Sequence, residues 1–102
     1  MKLLTKEITK KATKQYDKGS DMDGQMIVAK FFNPMGDWTW YLMNLDKDED
    51  YAWGIVDGNA VEMGSFSMKE LQDVKLPFGL GIERDIYFEP VKASELCKEL
   101  NA

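Results

Sequence analysis

The chain has 102 residues, a hydrophobic fraction of 44%, an aromatic fraction of 12% and a net charge of −5. That length fits a single globular domain, residues 1–102, able to bury roughly 65% of its unfolded surface, and the composition excludes a disordered tail. There is no histidine and one cysteine, Cys97, which excludes Ser-His-Asp and Cys-His catalysis, the common zinc and iron centres, and an intrachain disulfide.

No apolar run approaches the ~20 residues of a membrane span, and Met1–Lys6 turns polar too soon for a signal peptide, so a cytoplasmic location is expected. The charge is uneven. Residues 1–18 carry six lysines against Glu7 and Asp17, a charge of +4, so the rest of the chain carries −9. Such a split permits a basic face on an acidic body.

In chain order, Thr5–Lys18 reads as a helix: Leu4, Ile8, Ala12 and Tyr16 form an apolar stripe, with Lys6, Lys10 and Lys14 on the opposite face. Gly19-Ser20 ends it. Gln25–Asn33 reads as a strand, Pro34–Asp37 as a turn, and Asp37–Leu45 as an aromatic strand with Trp38, Trp40 and Tyr41. Asp46–Asp50 is a charged hairpin loop, followed by a strand from Tyr51 to Val56, a tight turn at Asp57-Gly58-Asn59, and a strand from Ala60 to Phe66. Ser67 and Glu70 form a capping box that starts a short helix through Val74. After the Leu76–Gly79 loop comes a strand, Leu80–Phe88, stopped by Pro90; Ser94 then caps a last short helix with Leu96, Cys97 and Leu100. The expected fold class is α+β, in the order α-β-β-β-β-α-β-α. It has an antiparallel meander of about five strands, with helices over one face and the other face partly covered or free for contact. Cys97 reads as a small core residue of the last helix rather than a nucleophile.

The most unusual segment is Leu80–Phe88. Alternation places Ile82, Arg84, Ile86 and Phe88 on one face, so a guanidinium shares an apolar surface and needs a carboxylate or carbonyl partner. Glu83, Arg84 and Asp85 are therefore a structural keystone or part of a site, with Glu62 on the fourth strand a candidate partner for Arg84.

Several blocks together resemble one known family. They are Lys2-Leu3-Leu4-Thr5, Lys30-Phe31-Phe32-Asn33-Pro34, Trp38-Thr39-Trp40, Gly64-Ser65-Phe66-Ser67 with Glu70-Leu71, and Leu80 through Phe88. This combination, spread over nearly the whole chain, is similar to the short bacterial proteins grouped as domain of unknown function 2958. The resemblance implies a setting on plasmids, phages or integrating elements and supplies no activity or site residues.

The remaining constellations divide between site and surface. Asp46-x-Asp48-x-Asp50 begins like a calcium loop, but Tyr51 stands where glycine belongs and Asp57 where glutamate belongs, so a solvated hairpin loop is expected, with no metal and no cofactor. Trp38, Trp40, Tyr51 and Trp53 are either core or an exposed patch able to stack bases or anchor a protein. Lys6, Lys10 and Lys14 form a basic face that can grip phosphates. The expected function is a non-enzymatic, mobile-element accessory protein that binds a protein partner. Its sharpest form is an inhibitor of a host defence nuclease, of the anti-CRISPR or anti-restriction type, offering Asp46, Asp48, Glu49 and Asp50 with the tryptophans to a basic channel. The alternative is a nucleic-acid-binding accessory factor for plasmid or phage DNA processing. A homodimer remains open, and no membrane partner is expected.

Overall fold

The computed structural model describes residues 1–101. Thr5 Oγ1 accepts the Ile8 N–H at 3.1 Å and caps helix α1, Lys6–Lys14. The helix is shorter than the sequence pattern predicts. Its C-cap, Gln15, is clamped to two strands: its Nε2 donates to the carbonyls of Met26 and Met43, and its Oε1 accepts the Met26 N–H. A separate 3-10 turn, Tyr16–Lys18, follows. Leu4, Ile8 and Ala12 therefore stay in the apolar stripe, while Tyr16 lies exposed outside it.

The segment read as one strand over Gln25–Asn33 is two, β1 (Met26–Ile27) and β2 (Ala29–Phe32), separated at Val28. Strand β3 is Thr39–Leu45, β4 is Tyr51–Asp57 and β5 is Val61–Ser67. Strands β2 to β5 form the expected antiparallel meander. The fifth strand, β6 (Glu83–Arg84), breaks that order, because helix α2 (Met68–Asp73) and the loop after it return the chain to the far edge, where β6 pairs with β2. The sheet reads β5-β4-β3-β2-β6, so β5 and β6 are opposite edges. β1 pairs instead with β7 (Val91–Lys92), in a two-stranded ladder beside the main sheet.

The expected Ser67 cap is present, its Oγ accepting the Glu70 N–H at 3.1 Å. The rest of that cap comes from a distant residue. Asp50 Oδ1 accepts from Ser67 Oγ and from the Lys69 N–H, and these bonds hold the Asp50 carboxyl below its usual pKa. The last helix, α3 (Ala93–Asn101), begins before Ser94, so Ser94 is not its cap. The free N–H groups of Ala93 and Ser94 donate to the carbonyls of Gln25 and Met22 instead.

The helices lie on both faces of the sheet, not one. Ala29, Phe31 and Leu42 point into a core shared with Leu4, Ala12 and the α2 residues Met68 and Leu71. Tyr41, Met43 and Ile55 point into a second core with Ile27 and the α3 residues Ala93 and Leu96, where Cys97 is half-buried as expected of a core residue. This explains why the strands are apolar on both sides: Tyr41 through Leu45 are all buried. A register shift between Leu42 and Asn44 interrupts β3 against β4. There the buried Asn44 donates to Gly19 O and Gln25 Oε1, and the buried Gln25 donates to the carbonyls of Gly19 and Asp21, which ties the 19–25 loop to the sheet.

Candidate functional site

Large apolar side chains that fail to find the core are the informative ones on a small domain. Ten are exposed among the described residues, and five of them flank β6: Phe78 and Leu80 before it in the chain, Ile86 and Tyr87 after it, and Met1 against its Arg84. The sequence places Phe78, Ile86 and Tyr87 there by two turns. Before the strand, Pro77-Phe78-Gly79 makes a 3-10 turn closed by the Leu76 N–H on Leu80 O at 2.9 Å. Phe78 sits at its tip with φ +64° and 91% exposure. A left-handed backbone is costly for a phenylalanine, roughly 1 kcal/mol or more. Nothing buried repays it here, and strain of that kind gathers at contact sites. Phe78→Gly is expected to leave thermal stability within about 1 kcal/mol of wild type, or raise it, since glycine takes this geometry freely; a loss of 2 kcal/mol or more in denaturation would show a folding role for the ring.

After β6, Asp85 builds the second turn. Its Oδ1 accepts the Tyr87 N–H at 2.9 Å and its carbonyl accepts the Phe88 N–H at 3.2 Å. Ile86 and Tyr87 stand at the tip, 62% and 87% exposed. The turn is braced from the sheet: the Asp85 N–H donates to Lys30 O at 2.9 Å, and Lys30 Nζ lies 3.8 Å from Asp85 Oδ2. Ordered strand structure therefore ends at Arg84 rather than running from Leu80 to Phe88. Ile82 packs in the first core, Phe88 against the second, and Ile86 in neither.

Arg84 is half-buried and does not reach Glu62, which lies on β5 at the opposite edge. Its Nη1 donates to Lys2 O at 2.8 Å and its N–H to the Met1 sulfur at 3.1 Å, which lays the N-terminal segment along the outer side of β6. The guanidinium has found a carbonyl, the partner that charge on a strand requires. A cleft of about 570 Å³ opens beside it, lined by Met1, Lys30, Phe32, Thr39, Glu83 and Tyr87 among others.

Beneath the Lys30–Asp85 pair lies Tyr41, which no sequence motif marks. It is buried, 6.2 Å from the Phe88 ring centroid, with Lys30 Nζ 5.8 Å from its own ring. Burial raises its pKa above the usual phenol value, and the carboxylates of Asp57 and Asp85 push it the same way. The folded chain thus holds this phenol neutral after an unfolded one has ionised. The stability this supplies is complete below about pH 10 and declines as pH rises through the folded value. Spectrophotometric titration should find one of the four tyrosines ionising late, and Tyr41→Phe should flatten the loss of stability above about pH 10.

The other predicted site residues fall elsewhere. Trp38 and Trp40 are together, ring centroids 6.1 Å apart; Trp40 packs against the first core, and Trp38 lies over Gly58, where a Cβ would stand 2.7 Å from its ring. Trp53 is on the opposite face, half-buried against the second core. The three do not make one patch. The acidic loop is divided as well: Asp46 Oδ1 accepts the N–H groups of Asp50 and Tyr51, and Asp50 is committed to Ser67 and Lys69. Asp48 and Glu49 remain outward, in a cleft they share with Lys2, Lys6, Lys10 and Lys69. Basic face and acidic loop are thus one mixed surface, while Lys14 lines a separate groove with Lys11 and Lys18.

The β6 edge pairs apolar side chains on two braced turns with charges of which Lys30, Arg84 and Asp85 are bonded within the fold. The family model for the protein of unknown function DUF2958 matches residues 3–98. The chain belongs to that family. No curated protein and no solved structure matches it. Within this DUF2958 member, the sequence reading marked Glu83, Arg84 and Asp85 and missed Phe78, Ile86 and Tyr87. The available signals were the Pro-x-Gly spacing around Phe78 and an aspartate two residues ahead of Tyr87, both turn patterns that put the intervening side chains outside.

Proposed function

We propose that this DUF2958 protein acts by contact with a protein partner, docking through β6 and its two flanking turns. One observation carries the reading: Phe78, Tyr87 and Ile86, which with Met1 are the most exposed large apolar side chains of the described residues, stand on the two hydrogen-bonded turns that flank β6. Rigid aromatic and aliphatic anchors ringed by polar groups are what binding hot spots are made of, and here Lys30, Glu83 and Asp85 supply the ring. In its sharpest form the protein is an anti-defence factor of a mobile element, working in the cytoplasm on a host nuclease. The net charge of −5 suits a basic channel, with Asp48 and Glu49 as the outward acidic groups. Nucleic-acid binding through Lys6 and Lys10 is less favoured, because those two lysines share their cleft with carboxylates.

The test is capture from host lysate by the immobilised protein and by an Ile86→Asp variant, followed by identification of what only the first retains. A partner held equally by both removes this edge from the reading. If the captured protein is a nuclease, competition by its own nucleic acid, together with weakening by reversal of Asp48 and Glu49, supports the anti-defence form.

A further inference from the structure

The two edges of the main sheet are treated differently. β6 is two residues long, and Met1 and Lys2 lie along its outer side. β5 runs seven residues, every one in register with β4. On its outer side no backbone hydrogen bond to another segment of the described residues is made. An open edge of this length is a template for another strand, and natural sheets blunt such edges with lysine, proline, a bulge or a covering segment. Val61-Glu62-Met63-Gly64-Ser65-Phe66-Ser67 has no lysine, proline or bulge, and its one charge is Glu62.

We infer that β5 pairs antiparallel with β5 of a second copy across a twofold axis at Gly64, joining the two sheets into one of ten strands. The strand is complementary to itself in this register. Glu62 lies opposite Phe66, Met63 opposite Ser65, Val61 opposite Ser67, and Gly64 opposite its own copy. No like charges meet, and the methylenes of Glu62 cover the half-buried Phe66. The twofold keeps Val61 and Met63 on the α3 side in both copies, so the pleats match; a slip of one residue would break that match. The axis passes the one position of β5 without a side chain, where a Cβ would meet nothing within 4 Å. The pairing is isologous, so it closes at two copies and does not propagate.

In such a dimer the two β6 edges stand nine strand spacings apart, roughly 43 Å at ~4.8 Å each. If the proposed docking edge is right, the dimer is bivalent and gains affinity for a repeated or oligomeric partner. The dimer itself does not depend on that reading, since its test contains no partner.

Sedimentation velocity of the full chain across a dilution series provides that test, with Gly64→Glu, Gly64→Lys and their equimolar mixture. The wild type is expected to sediment as a dimer that dissociates on dilution. Each variant alone is expected to show at least tenfold weaker association, because like charges then face each other at the axis, with a melting curve matching the wild type's at concentrations where the wild type is monomeric. The mixture is expected to restore the dimer. Amide exchange of Val61–Ser67 in the wild type, slower at high protein concentration than at low, reads the same contact without any substitution. A wild type that stays monomeric up to about 1 mM, a dimer that Gly64→Glu leaves intact, or a mixture that fails to associate would each overturn the inference.

Discussion

Replacing Gly54 by alanine is expected to lower stability by at least about 3 kcal/mol, a large part of the roughly 5–15 kcal/mol available to a domain. Gly54 sits in β4 opposite Leu42, beside the register shift that interrupts β3. A Cβ built there would stand 1.8 Å from the Tyr41 carbonyl oxygen and 3.1 Å from the Met43 nitrogen. Both are backbone atoms, so no side-chain rotation relieves the overlap. The strand must move, and with it the pairing that buries Leu42 on one face and Met43 on the other. Urea denaturation checks the size of the effect. Gly64→Ala is the matched control: it lies directly across from Gly54 in β5, its Cβ would meet nothing, and its stability should stay within about 0.5 kcal/mol of wild type. Equal losses in the two variants would mean that glycine in these strands matters for some reason other than the close approach of β3.

Tyr87→Ala is expected to weaken partner binding by about 30-fold or more, the effect of losing a contact worth at least ~2 kcal/mol, while the melting curve stays in place. The two readouts separate because Tyr87 is 87% exposed and its own backbone N–H, not its ring, closes the turn on Asp85. Asp85→Ala should show the opposite balance. It removes the acceptor for the Tyr87 N–H and the partner of Lys30, so both the turn and the binding should suffer. Binding isotherms against the captured partner, with thermal denaturation in parallel, distinguish these outcomes. A Tyr87→Ala protein that binds as tightly as wild type would move the contact surface away from this edge.

Much of the local structure was legible in the sequence because it is determined locally. Thr5 and Ser67 cap helices through bonds reaching three residues, the turns around Pro34 and Asp57 are written in Pro, Gly and Asp, and the strands between them are continuous apolar and aromatic runs, as a sheet covered on both faces requires. The capping box was half right for the same reason: Glu70 is near Ser67 in the chain, whereas Asp50, which completes the cap, is 17 residues away. The site was legible only as a cluster of charge. Arg84 announced that it needed a partner, but the partner is the Lys2 carbonyl, 82 residues off, and no spacing rule spans that distance.

Chain length, the absence of histidine, the single cysteine, the α+β element order and the family blocks all belonged to the sequence alone, since composition and short-range pattern carry them. Tertiary structure decided which edge β6 joins, that helices cover both faces, that Trp53 parts from Trp38 and Trp40, and that Ile86 and Tyr87 are left outside. The physical reason is that an apolar residue at a strand period states only that some surface should cover it. Which surface does so is settled by the register and crossing of segments far apart in the chain, and the side chains that lose that competition become the ones available to a partner.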